Sequence, residues 1–137
     1  MNKELRKVLV KENEFKDGVL QPVEVEFEFI NECFSTSRSW GHISTLYKNG
    51  VEVATNKVRY YNRTWEAYQF QSVMAGLVYQ LKEDYINDYI RDYKEKNNIV
   101  KFKKGQKQLV IDEAKTMQAY KEYNLILDAI HSNKFDN

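Results

Sequence analysis

The sequence has little of what usually betrays a chemical activity or a cellular address. It holds one cysteine, Cys33, so no disulfide can form within the chain, and a reducing compartment is the natural setting. Its single proline, Pro22, and five glycines gather neither into a linker nor into a phosphate-binding loop. The two histidines, His42 and His131, share no element with each other or with Cys33 at ligand spacing, which argues against a metal site. No apolar run approaches the roughly 20 residues of a membrane helix. The opening stretch, MNKELRKVLVKENEF, lacks the continuous apolar core of a secretion signal. We expect a cytoplasmic protein with no membrane contact and no cofactor. The formal net charge is +1, so bulk charge supports neither a nucleic-acid binder nor an acidic nucleic-acid mimic. Only local patches can support either.

Catalytic patterns are equally scarce. Cys33 and His42 are separated by a polar loop, with no third group in evidence. Glu24, Glu26 and Glu28 form a row at period two rather than a converging acid–base pair. The expectation is a protein that is not an enzyme.

What is present is enough for a core. The chain has 137 residues, 42% hydrophobic and 14% aromatic, which suits one domain over 1–137. Residues 1–61 read as β-rich. Leu5 to Phe15 reads as an edge strand, or as a helical turn followed by a strand, and Asp17-Gly18 as a turn. In the run Val23 to Ile30, Val23, Val25, Phe27 and Phe29 point one way and the three glutamates the other, which predicts a strand with one face on the core. The acidic face discourages pairing with other chains. Cys33 to Ser39 reads as a Ser/Thr loop and Trp40 to Lys48 as a strand. Asn49-Gly50 is a strong hairpin signal, because a type I′ turn needs positive φ at both central residues. In the returning strand, Val51 and Val53 have one parity and Val58 and Tyr60 the other. A bulge or bend is therefore expected near Asn56.

One long helix is predicted over 62–97, with Asn62 or Thr64 as N-cap, Glu66 at its positive end and Asn97-Asn98 as its stop. Trp65, Tyr68, Val73, Leu77, Leu81, Tyr85, Tyr89 and Tyr93 share one side of it. A basic connector over 98–111 contains KFKKGQK around Gly105. A C-terminal helix over 112–132, capped by Asp112, carries Met117, Tyr120, Tyr123, Leu127 and Ile130, and the last residues, NKFDN, are expected to fray. The predicted fold is α+β: a three- to four-stranded antiparallel sheet, a long helix, and a second helix beside it. A helix of that length spans about 50 Å, more than the sheet can cover. Its distal part must then lie under the last helix or against another subunit.

Two candidate surfaces follow. Tyr85, Tyr89 and Tyr93 form a ladder suited to a protein partner or a homodimer, since tyrosine covers apolar area while keeping a wet hydroxyl. As an alternative, Lys57, Arg59 and Arg63 stand among Tyr60, Tyr61 and Trp65, where they suit phosphates and stacked bases, with Lys101, Lys103, Lys104 and Lys107 of the connector as a second patch. Ordinary burial of the aromatics accounts for the same pattern.

The β-β-β-α order resembles that of double-stranded-RNA-binding domains, but the helix start NRTWEAYQF lacks the lysine cluster with which that family holds phosphates. The segment KVRYYNRTWEAYQFQSV, around its YNRTWE-x-Y core, resembles a recurring stretch in small proteins of phages and mobile elements from Gram-positive bacteria. It covers a short central part of the chain. The resemblance implies an accessory protein of the host cytoplasm that binds and blocks a host protein, such as a CRISPR or restriction nuclease. It transfers no functional residue.

Overall fold

The computed structural model describes residues 3–60 and 68–135, without the side chains of Tyr60, Tyr68 and Gln69. Among these residues four strands come first: β1 (Lys3–Lys16), β2 (Val19–Ser35), β3 (Trp40–Lys48) and β4 (Val51–Tyr60). Each pairs antiparallel with the next, in the order β1-β2-β3-β4. Among the described residues three helices follow: α1 (Tyr68–Lys96), α2 (Gln106–Ala114) and α3 (Gln118–Ser132). The α+β expectation holds, with a full four-stranded sheet. The proposed caps Asn62 and Thr64, with Glu66, Tyr61, Arg63 and Trp65, lie outside the described residues.

Turn chemistry and alternation build the sheet. Asp17-Gly18 and Asn49-Gly50 both have positive φ at each residue, as the two tight hairpins require. The Asn49 turn is fastened to β2: its N–H donates to the Glu26 carbonyl at 2.7 Å, and its Oδ1 accepts from the Glu26 N–H at 2.9 Å. Val25, Phe27 and Phe29 are buried on the helix side of β2. The outward glutamates of β2 face lysines of β1, with Lys3 opposite Glu32, Lys7 opposite Glu28 and Lys11 opposite Glu24. The acidic face read from β2 alone is thus neutralised across the hairpin, and the like-with-unlike pairing holds the register.

Two expectations about the strands are corrected. Cys33–Ser35 belong to β2 rather than to a loop, because their backbone pairs with Trp40–His42. The bulge lies at Val53, not near Asn56: Leu46 faces Ala54 while Tyr47 faces Glu52, leaving Val53 as the additional residue. From Ala54 onward the parity is reversed. Asn56 and Val58 turn toward the helices, opposite Ser44 and His42, and Lys57 and Arg59 turn outward.

The core lies between the sheet and α1. Met74, Leu77 and Val78 of α1 meet Phe27, Phe29 and Leu46 of the sheet, and Ile126, Leu127 and Ile130 of α3 close the side. The tail corrects another expectation. Phe135 does not fray but packs edge-on to Phe29 at 6.5 Å, with the Arg6 guanidinium 5.7 Å from its ring. The final helix also starts later than expected. Asp112 lies inside α2, a separate short helix that begins within the predicted connector and buries Val110 and Ala114. Asn98 and Gly105, both at positive φ, reverse the chain so that α2 and then α3 run back along α1.

Candidate binding surfaces

The first surface grows from the length of α1. Its 29 residues extend about 43 Å, longer than the roughly 30–35 Å of β3 and β4, the strands it packs on. Tyr85, Tyr89 and Tyr93 recur every four residues on the side that receives α2 and α3. Tyr85 lies 6.3 Å from the Tyr89 ring and 6.5 Å from that of Tyr120 on α3. The Tyr89 hydroxyl donates to Glu113 Oε1 of α2 at 2.7 Å. That bond to a carboxylate, followed by burial, pushes the phenol up to about 12. Tyr93 stands 6.4 Å from Phe102 of the connector, whose other partner is Lys94, 4.8 Å from the ring centroid. The cover demanded by the overlong helix therefore comes from α2, the connector and the start of α3. All three tyrosines are left half-buried.

Beside this cover lies a groove of about 410 Å³, lined by Tyr89, Asp92, Tyr93, Lys96, Asn97 and Glu113. It offers two phenol rings and two carboxylates against one ammonium. Such a lining suits a cationic group, most of all a planar guanidinium that can stack on a ring and pair with a carboxylate.

The second surface is on the outward side of the sheet. Gly41 of β3 lies opposite Phe34 of β2. A Cβ on Gly41 would come within 2.7 Å of the Phe34 ring and 2.1 Å of the Val58 carbonyl oxygen, so the ring can settle there only over glycine. Lys57 Nζ stands 4.6 Å and the Arg59 guanidinium carbon 5.9 Å from the centroid of that ring. Phe34 was hidden in what reads as a polar loop. The signal that finds it is the strand pairing. Lys101, Lys103, Lys104 and Lys107 are exposed at the distal end of α1, about a helix length from Lys57 and Arg59. The two basic groups do not form one surface.

Two buried polar groupings have no counterpart in the sequence reading. Asn31, Ser44 and Asn56 lie side by side across β2, β3 and β4 beneath α1. Asn56 donates to the Val73 carbonyl at 3.1 Å and Asn31 to Met74 Sδ at 3.3 Å. Among the described residues, Asn31 Oδ1 and Ser44 Oγ find no hydrogen-bond partner. Next along β3, His42 is buried between Trp40 and Phe70, at 5.5 and 4.2 Å, and burial lowers its pKa. It sits directly opposite Cys33, so these two residues, separated by a turn in sequence, are neighbours in the sheet. The second grouping joins Glu122 of α3 to Lys48 Nζ at 3.0 Å, with the Glu12 carboxyl alongside.

Among the described residues, no three His, Cys, Asp or Glu side chains are grouped to hold a metal ion, and no helix is long and apolar enough to cross a membrane. Comparison of the chain with protein-family models, with curated protein sequences and with solved structures gave no match.

Proposed function

We propose that the chain is a non-enzymatic binding protein and that its partner is another protein, engaged at the tyrosine groove on the distal half of α1. The observation that supports this most is the groove itself: aromatic walls, two carboxylates and a size that admits one or two side chains. Its acidic excess favours a partner that presents arginine or lysine. The YNRTWE resemblance extends the reading to an accessory protein of phage or mobile-element type, acting in the host cytoplasm by occupying a defence protein such as a CRISPR or restriction nuclease. A second reading, nucleic-acid binding, draws on one specific feature, the Phe34 ring flanked by Lys57 and Arg59.

Affinity capture from the native host's lysate, with and without nuclease, tests both readings. The expected result is a protein retained despite nuclease, its capture weakened at least about tenfold by Tyr93→Ala, as for an interface anchor. It should be unaffected by the double variant Lys57→Ala/Arg59→Ala. Capture that is abolished by nuclease and by the double variant, yet indifferent to Tyr93→Ala, would replace the first reading with the second.

A further inference from the structure

Among the described residues α1 and α3 pack on one side of the sheet and α2 packs on α1, and the outward side of the β1–β2 ribbon is left bare. Leu5 and Leu9 of β1 are 52% and 41% exposed there, and Phe15, further along, is 72% exposed. Phe15 lies opposite Leu20, itself 59% exposed, and Leu5 opposite Ile30. The pairing of β1 with β2 runs to Lys16 and Val19, whereas β3 joins β2 only from Phe27 onward. The end of the ribbon is therefore a two-stranded arm with large apolar side chains in water. Such an arm is marginal alone, and exposed apolar patches of this kind mark contact surfaces.

The charge pattern names the occupant. On this face β1 presents Lys3, Lys7 and Lys11 at the same levels as Glu32, Glu28 and Glu24 of the neighbouring β2 row, with the apolar pairs Leu5–Ile30 and Phe15–Leu20 at other levels of the register. A copy of the chain turned by half a revolution about an axis along the ribbon lays each row on the opposite row of its mate. Lys7 then meets Glu28, Leu5 meets Ile30 and Phe15 meets Leu20, so the pairs within the hairpin recur between copies. Every contact is made twice, as a two-fold interface requires. A face about 48 Å long and on average about 12 Å wide offers on the order of 600 Å² per copy, enough for a small stable interface. We infer that the chain forms a homodimer through the outward face of its β1–β2 ribbon, which leaves the groove on the distal part of α1 free for a different partner.

The test is a charge exchange read by sedimentation equilibrium, with far-UV circular dichroism checking that each variant is folded. Wild-type protein is expected as a dimer at micromolar concentration. Lys7→Glu and Glu28→Lys each place like charges against one another, and each should raise the dimer Kd at least about tenfold. Mixing the two variants in equal amounts sets the new carboxylate of one against the new ammonium of the other and leaves the second Lys7–Glu28 contact native, so it should restore the dimer. Phe15→Ser, which leaves the charges alone, should also weaken it. A wild-type monomer at 100 micromolar (roughly a hundred times the working range), single variants that dimerise unchanged, or a mixture that stays monomeric would each overturn the inference. The tyrosine groove lies on the helix side, so these variants leave it intact.

Discussion

From Phe70 to Leu81, α1 lies against the sheet, and its inward positions Val73, Met74, Leu77 and Val78 are almost wholly buried. From Tyr85 to Tyr93 it lies against α2 and α3, and the same helical side carries tyrosines that stay half-buried. The difference follows from what covers each half. A sheet is broad enough to exclude water on both flanks of a helix, so a hydroxyl placed there would need a partner in a dry interior. A nine-residue helix such as α2 covers a narrow strip and leaves water along its sides. Tyrosine suits that margin, with its ring in the strip and its oxygen at the edge, where Tyr89 meets Glu113.

The comparison can be broken at either half. Leu77→Ala opens a void in the buried core between α1 and the sheet, and should cost about 2–5 kcal/mol, read as a lower urea midpoint at unchanged slope. The next effect concerns Glu122, the charged group buried on the sheet side at 3% exposure. Burial, then a hydrogen bond with Glu12, raise its pKa from the usual 4.5 to about 7, against the opposing pull of Lys48. The folded protein therefore holds this proton more tightly than the unfolded chain. Its contribution is complete below about pH 4.5 and is lost as pH rises through 7, roughly 1–3 kcal/mol in all. Thermal melts from pH 5 to 8 should show wild-type stability falling with pH relative to Glu122→Gln, while the buried His42, its pKa lowered, pulls the other way equally in both proteins. Equal slopes in the two proteins would show that Glu122 is not the titrating group. The smallest effect belongs to the distal half. Tyr89→Phe keeps the ring and deletes the bond to Glu113, and should cost only about 1 kcal/mol. A loss as large as that of Leu77→Ala would mean that the distal half is as dry as the proximal one.

Much of this fold was legible in the chain because several signals are local. Asn49-Gly50 states its own φ angles, Val23 to Phe29 its alternation, and Val73 to Leu81 its helical stripe. What was not legible depends on partners. The buried side of α2 is only Val110 and Ala114, too few for a periodic signal, and the lysines at 101–107 read as a loop. The parity change of β4 can be seen in sequence, but its position at Val53 is set by which residues β3 offers opposite. Phe34 sits among serines and threonines and acquires a role only when Gly41 is laid beside it. The tyrosine ladder was visible from spacing alone, whereas Glu113, which turns it into a groove, is 24 residues away from Tyr89.

The additional residue at Val53 works like a shift of reading frame for the strand that follows it. Up to that point β4 is read in one frame, and afterwards each residue presents the face that its neighbour would otherwise have shown. In the unshifted frame Lys57 and Arg59 would be thrust beneath α1 and Asn56 and Val58 set in water, with the same letters in the same order. The chemistry that β4 displays on either side of the sheet is thus encoded less in its composition than in its count.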